Sequence, residues 1–464
     1  MEQTEHTIAA LSTPPGESGV AVVRMSGGDA LDILSAVYRC KSGKQRAGGW
    51  QQRKIYHGMF VNKQGEVIDE VMYAVMRGPD SYTGEDTVEV TCHGGMLIVN
   101  EILNELLRRG ARAAQAGEFT KRAFINGKID LIQAEAVCDL IHAKSELQRK
   151  VAHEQLAGKL SRQIRHYADE VLTLLGEVEV NIDFMEEGIE TFDKKAAASM
   201  LTNQRRALAD LLQSASLGRP FREGYNVVVS GPVNAGKSSL FNRIIGEERA
   251  IVTEIPGTTR DVLREQLIIG GLVFVLHDTA GLRKAAADEV ESIGLGLAEQ
   301  TAGKADLVVF VVDGTEALNE ETGDRIARLD PARTILVLNK NDLPLKLSAD
   351  DIKKNYKDLR VLSLSAQSGQ GIARLKEELV NTIGQETIGW IARERIVLNS
   401  RLVALLETAD RRAKRLLKNL SVDTPLELLA VEIRQVLACY EEATGSKYTD
   451  NLLDNIFSRF CIGK

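Results

Sequence analysis

The most specific chemistry in the chain lies in Val227-Val228-Val229-Ser230-Gly231-Pro232-Val233-Asn234-Ala235-Gly236-Lys237-Ser238-Ser239. A β-branched run ends at Ser230, a GxxxxGK[ST] loop follows, and Leu240 to Ile245 continues as a helix, the context a phosphate-binding loop requires. Gly231 and Gly236 let the backbone N–H groups from Asn234 through Ala235, Gly236, Lys237, Ser238 and Ser239 converge on an anion. Lys237 reaches the outer phosphates and the Ser238 hydroxyl can ligate Mg²⁺. The bland alternative, a Gly-rich turn that binds nothing, weakens with each motif downstream.

Those motifs follow in the order a GTPase requires. Thr258 and Thr259 lie in Gly257-Thr258-Thr259-Arg260-Asp261, where a threonine can complete the Mg²⁺ shell. Asp278-Thr279-Ala280-Gly281 ends a strand pattern, which puts the Asp278 carboxylate near Mg²⁺ and the Gly281 amide near a γ-phosphate. Asn339-Lys340-Asn341-Asp342 matches NKxD, and a carboxylate at 342 accepts from guanine N1–H and the 2-amino group, which adenine lacks. Ser363-Leu364-Ser365-Ala366 supplies the last base-contacting loop, with Ser365 and Ala366 at its tip. Together they predict GTP binding.

The hydrolytic step departs from the Ras pattern. A water-orienting glutamine is expected directly after Asp278-Thr279-Ala280-Gly281, but Leu282 stands there. The carboxylates of Asp288-Glu289-Val290-Glu291 are the nearest replacements, Arg260 and Arg283 are conceivable cis arginines, and Asn234 offers another route. Its carbonyl oxygen, beside backbone carbonyls of the 253 to 258 loop, could hold a monovalent cation against the phosphates; a purely loop-stabilising role for Asn234 is the even alternative.

The elements that position these groups divide the chain of 464 residues into about three domain-sized lengths. With 44% hydrophobic and 27% charged residues it reads as an ordinary globular protein, and its net charge of −7 neither announces nor excludes nucleic acid. Five scattered cysteines without CxxC suggest neither a disulfide framework nor zinc, and the acidic start and lack of a long apolar run predict a cytoplasmic, non-membrane protein. Residues 1–118 read as an α+β domain: strands at Gly19 to Arg24, Val67 to Val75 and Asp86 to Cys92, helices at Ala30 to Tyr38 and Met96 to Arg109. Its loops carry Ser81-Tyr82-Thr83-Gly84-Glu85-Asp86 and Cys92-His93-Gly94-Gly95, where Glu85 and His93 read first as a solvated turn and a surface histidine. Residues 119–215 read as helical, with Leu156, Leu160, Ile164, Tyr167, Val171, Leu174 and Val178 forming one apolar stripe that breaks at Asp183-Phe184-Met185-Glu186-Glu187-Gly188. Residues 216–380 read as a mostly parallel α/β nucleotide domain, with a hairpin over Leu267 to Leu276 and buried strands at Leu307 to Val312, Thr334 to Leu338 and Val361 to Leu364. Residues 381–464 return to helices, with Leu426, Leu429, Ile433, Val436 and Tyr440 on one face. The economical arrangement packs both helical stretches into one discontinuous bundle with the Ras-like α/β domain inserted.

This set of features resembles the MnmE (TrmE) family of tRNA modification GTPases over essentially the whole chain. The carriers are Ser81 to Asp86, Asn126-Gly127-Lys128-Ile129-Asp130-Leu131, the inserted GTPase with Gly257-Thr258-Thr259-Arg260-Asp261, and Cys461-Ile462-Gly463-Lys464. One departure is Pro232-Val233 before Asn234, where the family more often ends on proline; Asn234 and Lys237 keep their places. The resemblance implies a homodimer that works on tRNA with an FAD-dependent partner, MnmG (GidA). Together they add an aminomethyl-type group, such as carboxymethylaminomethyl, to C5 of the wobble uridine. It implies a one-carbon unit from a tetrahydrofolate (5-formyl or 5,10-methylene), GTP hydrolysis dependent on Mg²⁺ and K⁺, and G-domain dimerisation. By motif, the folate would meet Arg24, Glu85, Lys128 and Lys464: a carboxylate suits the pterin donors and cations suit the glutamate tail. Potassium would fall to Asn234 with the carbonyls of Thr253, Ile255 and Thr258, while Ser238 and Thr259 hold Mg²⁺. Glu291 would orient water, joining Lys237 and Asp278 as catalytic candidates. Cys461 is either a nucleophile activated beside Lys464 or a small packing residue near a helix end. The competing readings are a ribosome-assembly GTPase acting as an RNA-binding timer, and a dynamin-like remodeller. The first needs a basic RNA-binding module and the second a membrane-seeking tip, and neither is evident in the sequence.

Overall fold

The computed structural model describes residues 6–40, 49–184, 192–213, 218–247, 264–278, 305–422 and 424–464. The chain forms two compact units. One gathers residues 1–138, 155–201 and 411–464; the other gathers 139–154 and 202–410.

The first unit is built on a seven-stranded sheet: β1 (Ile8–Leu11), β2 (Ser18–Ser26), β3 (Tyr38–Arg39), β4 (Lys54–Val61), β5 (Val67–Met76), β6 (Thr87–Gly94) and β7 (Arg112–Ala113), in the order β3-β4-β5-β6-β2-β1-β7. All neighbours are antiparallel except β1 and β7. The period of two sorts β2 cleanly: Ala21, Val23 and Met25 enter a core closed by the helices Ala30–Val37 and Met96–Arg108, leaving Arg24 for the opposite face. Fully burying a side chain such as Val23 or Met25 stabilises the unit by roughly 1.5–3 kcal/mol, and the single methyl of Ala21 contributes less. The same alternation separates Cys92 from His93. The thiol is buried, and burial with the nearby Asp69 pushes it up to about 11, whereas His93 is exposed and its Nδ1 lies 2.7 Å from Asp69 Oδ1.

The helical part of this unit pairs Lys159–Asp183 with Leu426–Thr444, and the rings of Tyr167 and Tyr440 meet at 6.0 Å. Leu160, Ile164, Tyr167, Val171, Leu174 and Val178 are all buried, as the stripe predicts. Leu156 belongs instead to the preceding helix Glu146–Leu156, because Gly158 turns the chain at φ 79°. The expected break after Asp183 begins inside the described residues; 185–191 lie outside them.

The second unit carries a six-stranded sheet: β8 (Tyr225–Ser230), β9 (Arg264–Ile269), β10 (Leu272–Asp278), β11 (Leu307–Asp313), β12 (Thr334–Asn339) and β13 (Arg360–Ser363), ordered β13-β12-β11-β8-β10-β9. Only β9 is antiparallel, joined to β10 through Gly270 and Gly271, both at positive φ as a tight hairpin turn needs. The near-continuous Val, Ile and Leu of β8, β11 and β12 reflect burial on both faces, which a parallel sheet imposes. Since β8 lies between β10 and β11, the loop leaving it opens at the point where strand order reverses, the place where such sheets bind ligands.

Candidate functional site

In the second unit, the carboxyl ends of the parallel strands bring the sequence-predicted groups together. Asp278 pairs in register with Val229, one residue before Ser230, and Asp313 pairs with Asn339. The loop after Ser230 is sterically fixed: Gly231 has φ 140°, and a Cβ there would sit 2.1 Å from Val311 O. Gly236 has φ 91°, and its Cβ would fall 2.2 Å from Asn339 Nδ2. Asn234 itself takes a left-handed φ of 63°, a conformation asparagine tolerates better than most residues. The helix Lys237–Glu247 starts directly, with Leu240 N–H donating to Gly236 O (2.9 Å), so the amides of Lys237, Ser238 and Ser239 precede the first intrahelical bond. This is the donor arrangement that phosphates need. Ser238 is exposed at this turn, and Lys237 Nζ donates to Pro232 O at 2.6 Å.

The Asn339–Asp342 run is wired to the loop that follows Ser230. Asn339 is buried; its Nδ2 donates to Ala235 O (2.8 Å) and its Oδ1 accepts from Ala366 N–H (2.9 Å). Its role is thus to tie the two ligand loops together. Lys340, at φ 68°, places Nζ 2.5 Å from Asp313 Oδ2. Burial alone would push the Asp313 carboxyl up, but hydrogen bonds from Lys340 and from Thr315 hold it below the usual carboxylate range. Ser365 is fully buried and its Oγ accepts from Ser368 N–H (3.0 Å), whereas Asp342 is exposed and open to a ligand's donors. Sequence reasoning missed Arg243, whose Nε donates to Ala366 O at 3.0 Å and whose Nη2 reaches Gln367 O. Its only signal is its place one helical turn beyond the phosphate loop. Thr253, Ile255, Thr258, Thr259, Gly281 and Glu291, with Arg260, Leu282, Arg283, Asp288 and Glu289, lie outside the described residues.

In the first unit, a second constellation forms on the sheet face opposite the core. Arg24 donates through Nε and Nη2 to Glu89 Oε1 (2.9 and 2.7 Å), its cross-strand partner, and through Nη1 to Gly463 O (3.3 Å). Its guanidinium lies 5.6 Å from the Phe119 ring centre. The Cys461–Lys464 segment docks here. Gly463 has φ 93°, and a Cβ on it would lie 2.2 Å from Leu11 O. Ser12 Oγ donates to Gly463 O (3.1 Å), Phe119 N–H to Lys464 O (3.2 Å) and Gly117 N–H to Cys461 O (3.4 Å). Arg24 therefore holds the segment that carries Lys464, and Cys461 itself is exposed.

Glu85 sits on a charge network that the sequence did not reveal. Arg122, 1% exposed, donates from Nη1 to both Glu85 oxygens (3.1 and 2.9 Å) and from Nη2 to Glu118 Oε1 (3.1 Å) and His6 O (2.8 Å). Ser26 Oγ adds a bond to Glu85 Oε2 at 2.8 Å. A carboxylate has about four lone-pair sites, so these three bonds from the described residues leave capacity for a further donor, and the side chain is 18% exposed to meet one. Glu118 also takes Arg112; burial would raise its carboxyl, but the bonds from Arg112, Gln115 N–H and Arg122 hold it below the ordinary range. The faint signal was the helical spacing Glu118, Phe119, Arg122, Ala123, which puts a cation among core positions. Lys128 Nζ donates to Pro79 O (2.8 Å), and its stem crosses Gly84.

Comparisons with known proteins cover both units. Residues 7–128 match the family model described as "GTP-binding protein TrmE N-terminus", and residues 131–461 match "MnmE helical domain". The tRNA modification GTPase MnmE of Lactiplantibacillus plantarum is 39% identical over 99% of this chain and 98% of its own length. The protein of the same description from Clostridioides difficile is 40% identical over 99% of each chain. Among solved structures, the G domain of the T. maritima FeoB iron transporter is 26% identical, covering 34% of this chain and 98% of that one at a TM-score of 0.27.

Proposed function

The chain belongs to the tRNA modification GTPase MnmE family, and from that premise we propose how its two sites divide the work. In the nucleotide unit, GTP lies across the carboxyl ends of β8, β10, β11 and β12. The amides at the start of the helix Lys237–Glu247 and the Lys237 ammonium hold the phosphates, and Asp342 accepts from the guanine edge. Asn339 transmits the position of one loop to the other through its two buried bonds. Ser238 and Thr259, with Asp278, would hold Mg²⁺; Asn234 with the carbonyls of Thr253, Ile255 and Thr258 would hold K⁺; Glu291 would orient the attacking water. Bound there, the two cations would supply positive charge beside the phosphates.

In the first unit, Glu85 accepts from the pterin ring of a tetrahydrofolate while Lys128 and Lys464 meet its glutamate carboxylates. Arg24 keeps the Cys461–Lys464 segment against the sheet. The folate supplies a one-carbon unit when bound; the chain's own residues orient it and fix its ionic partners. Acting as a homodimer with the FAD-dependent partner MnmG, the protein then serves formation of a carboxymethylaminomethyl or aminomethyl group at C5 of wobble uridines in tRNA. Cys461, exposed beside this site, is the candidate nucleophile.

The observation that supports this reading most is the co-location of Glu85, with a lone-pair site to spare, and the docked segment carrying Lys464 in one unit. The test is nucleoside mass spectrometry of tRNA from cells lacking the chain. The expected result is loss of C5-substituted wobble uridines, restored by the wild type and by neither Glu85→Gln nor Lys237→Ala. Full restoration by Glu85→Gln would remove the folate assignment, and an unchanged profile on deletion would remove the modification role.

A further inference from the structure

Beside Lys128 the first unit holds a cavity of about 530 Å³, within the range of small-molecule sites, whose lining includes Lys128, Asp130, Arg162, Arg165 and Ser446. Three cations face one carboxylate, so the lining carries a net charge of +2. Arg162 and Arg165 stand three residues apart on the helix Lys159–Asp183 and therefore share a face. That helix begins at Gly158, also in the lining, with no side-chain cap, so the positive end of its dipole adds to the same field. Opposite it, Gly445 turns the chain at φ 82° where a Cβ would strike Phe124 at 2.7 Å, which keeps this wall free of a side chain. Each cation has a partner already: Arg162 Nη1 donates to Ala157 O (2.7 Å), Arg165 Nη2 to Asp130 Oδ2, and Lys128 Nζ to Pro79 O (2.8 Å). Each retains further N–H groups, since a guanidinium has five and an ammonium three.

Position decides what anion belongs here. A Cβ at Gly84, the residue before Glu85, would lie 3.5 Å from Lys128 Cγ, so Lys128 links the Glu85 turn to the cavity. A ligand whose head meets Glu85 and whose first carboxylates meet Lys128 continues into a pocket with two more cations. We infer that this cavity receives the additional carboxylates of a folate bearing several γ-linked glutamates, making Arg162 and Arg165 selectivity residues for the polyglutamyl form. The inference rests on the folate reading above and adds the substrate form that the site takes.

The experiment measures, by calorimetry on the full-length protein, the Kd of 5-formyltetrahydrofolate as its monoglutamate and as its pentaglutamate, for wild type, Arg162→Gln and Arg162→Gln/Arg165→Gln. Each exposed ion pair of this kind alters affinity by roughly 1.4- to 5-fold, so two give about 2- to 30-fold. The wild type should prefer the pentaglutamate within that range, less so at high salt. The double variant should bind the monoglutamate as the wild type does and lose the preference, with the single variant between. Equal wild-type affinities for the two forms, or a preference that survives in the double variant, would overturn the inference. So would loss of tRNA binding by the double variant with its folate preference intact, which would assign the cavity to nucleic-acid phosphates. Binding of neither form by the wild type would remove the folate reading itself, and this inference with it.

Discussion

Replacing Gly463 by alanine should release the Cys461–Lys464 segment and silence the first-unit site while leaving the nucleotide site intact. The added Cβ would stand 2.2 Å from Leu11 O and 2.9 Å from Ser12 Cα, both backbone atoms of β1 and its exit that cannot rotate away. The φ of 93° adds its own penalty of about 1–2 kcal/mol for a residue with a side chain. Against this stand the hydrogen bonds from Ser12, Arg24, Phe119 and Gly117, worth about 2–6 kcal/mol together at roughly 0.5–1.5 each. Fixing four backbone residues costs about 4–8 kcal/mol, so docking is a near balance that the hydrophobic anchors Phe457 and Phe460 must tip. A further 1–2 kcal/mol, with a clash that only undocking relieves, shifts such a balance by about tenfold or more. Hydrogen exchange read by mass spectrometry checks this directly, because the amides of Gly117 and Phe119 donate to the segment's carbonyls. The variant should exchange faster at 117–119 and bind folate at least about tenfold more weakly, with GTP affinity unchanged. Ile462→Ala, at a side chain 63% exposed, should keep both properties. Unaltered exchange and folate affinity in Gly463→Ala would refute the reasoning.

Asn339→Ala leaves Ala235 O and Ala366 N–H without their buried partner, at about 1–3 kcal/mol each. GDP affinity measured by fluorescence should fall at least about tenfold, and Asn339→Asp should do no better because it sets an oxygen against Ala235 O; a Kd within twofold of wild type would contradict the tie. Glu118 carries a pH signature: its folded carboxyl is held below the ordinary value of 4.5, so the stability it contributes is present above that pH and lost as pH falls through the lowered value. Thermal midpoints followed from pH 7 downward should show a shallower acid limb for Glu118→Gln than for wild type, and parallel limbs would mean the Arg112 and Arg122 bonds contribute nothing to folding.

The nucleotide unit was legible because its chemistry is contiguous. The phosphate loop and the NKxD run each put a turn and their candidate ligand-binding groups within a few residues, and the buried strands announce themselves as β-branched runs. The first unit was less so. β1 is four residues of small or apolar type and β7 only two, too short for periodicity to register. β4 was missed because Gly58 interrupts its alternation, and the structure gives the reason: a Cβ there would lie 2.5 Å from the Tyr38 ring. The stripe from Leu156 to Val178 ran through Gly158 without noticing it, since apolar spacing is blind to a single residue at positive φ.

The network under Glu85 shows what local reading cannot supply. Its bonds join residues 37 and 116 positions apart, and the tie between Ser12 and Gly463 spans 451. No window along the chain contains both ends of such a contact, yet the period of two in β2 already reserved a place for it. Once Ala21, Val23 and Met25 face the core, Arg24 must face the other way, and a cation on a sheet face needs cover and partners. Glu89 supplies the first partner across the ladder, Phe119 the cover and Gly463 the second partner. The alternation thus fixes where a polar site can form, and the distant segments decide what that site can hold.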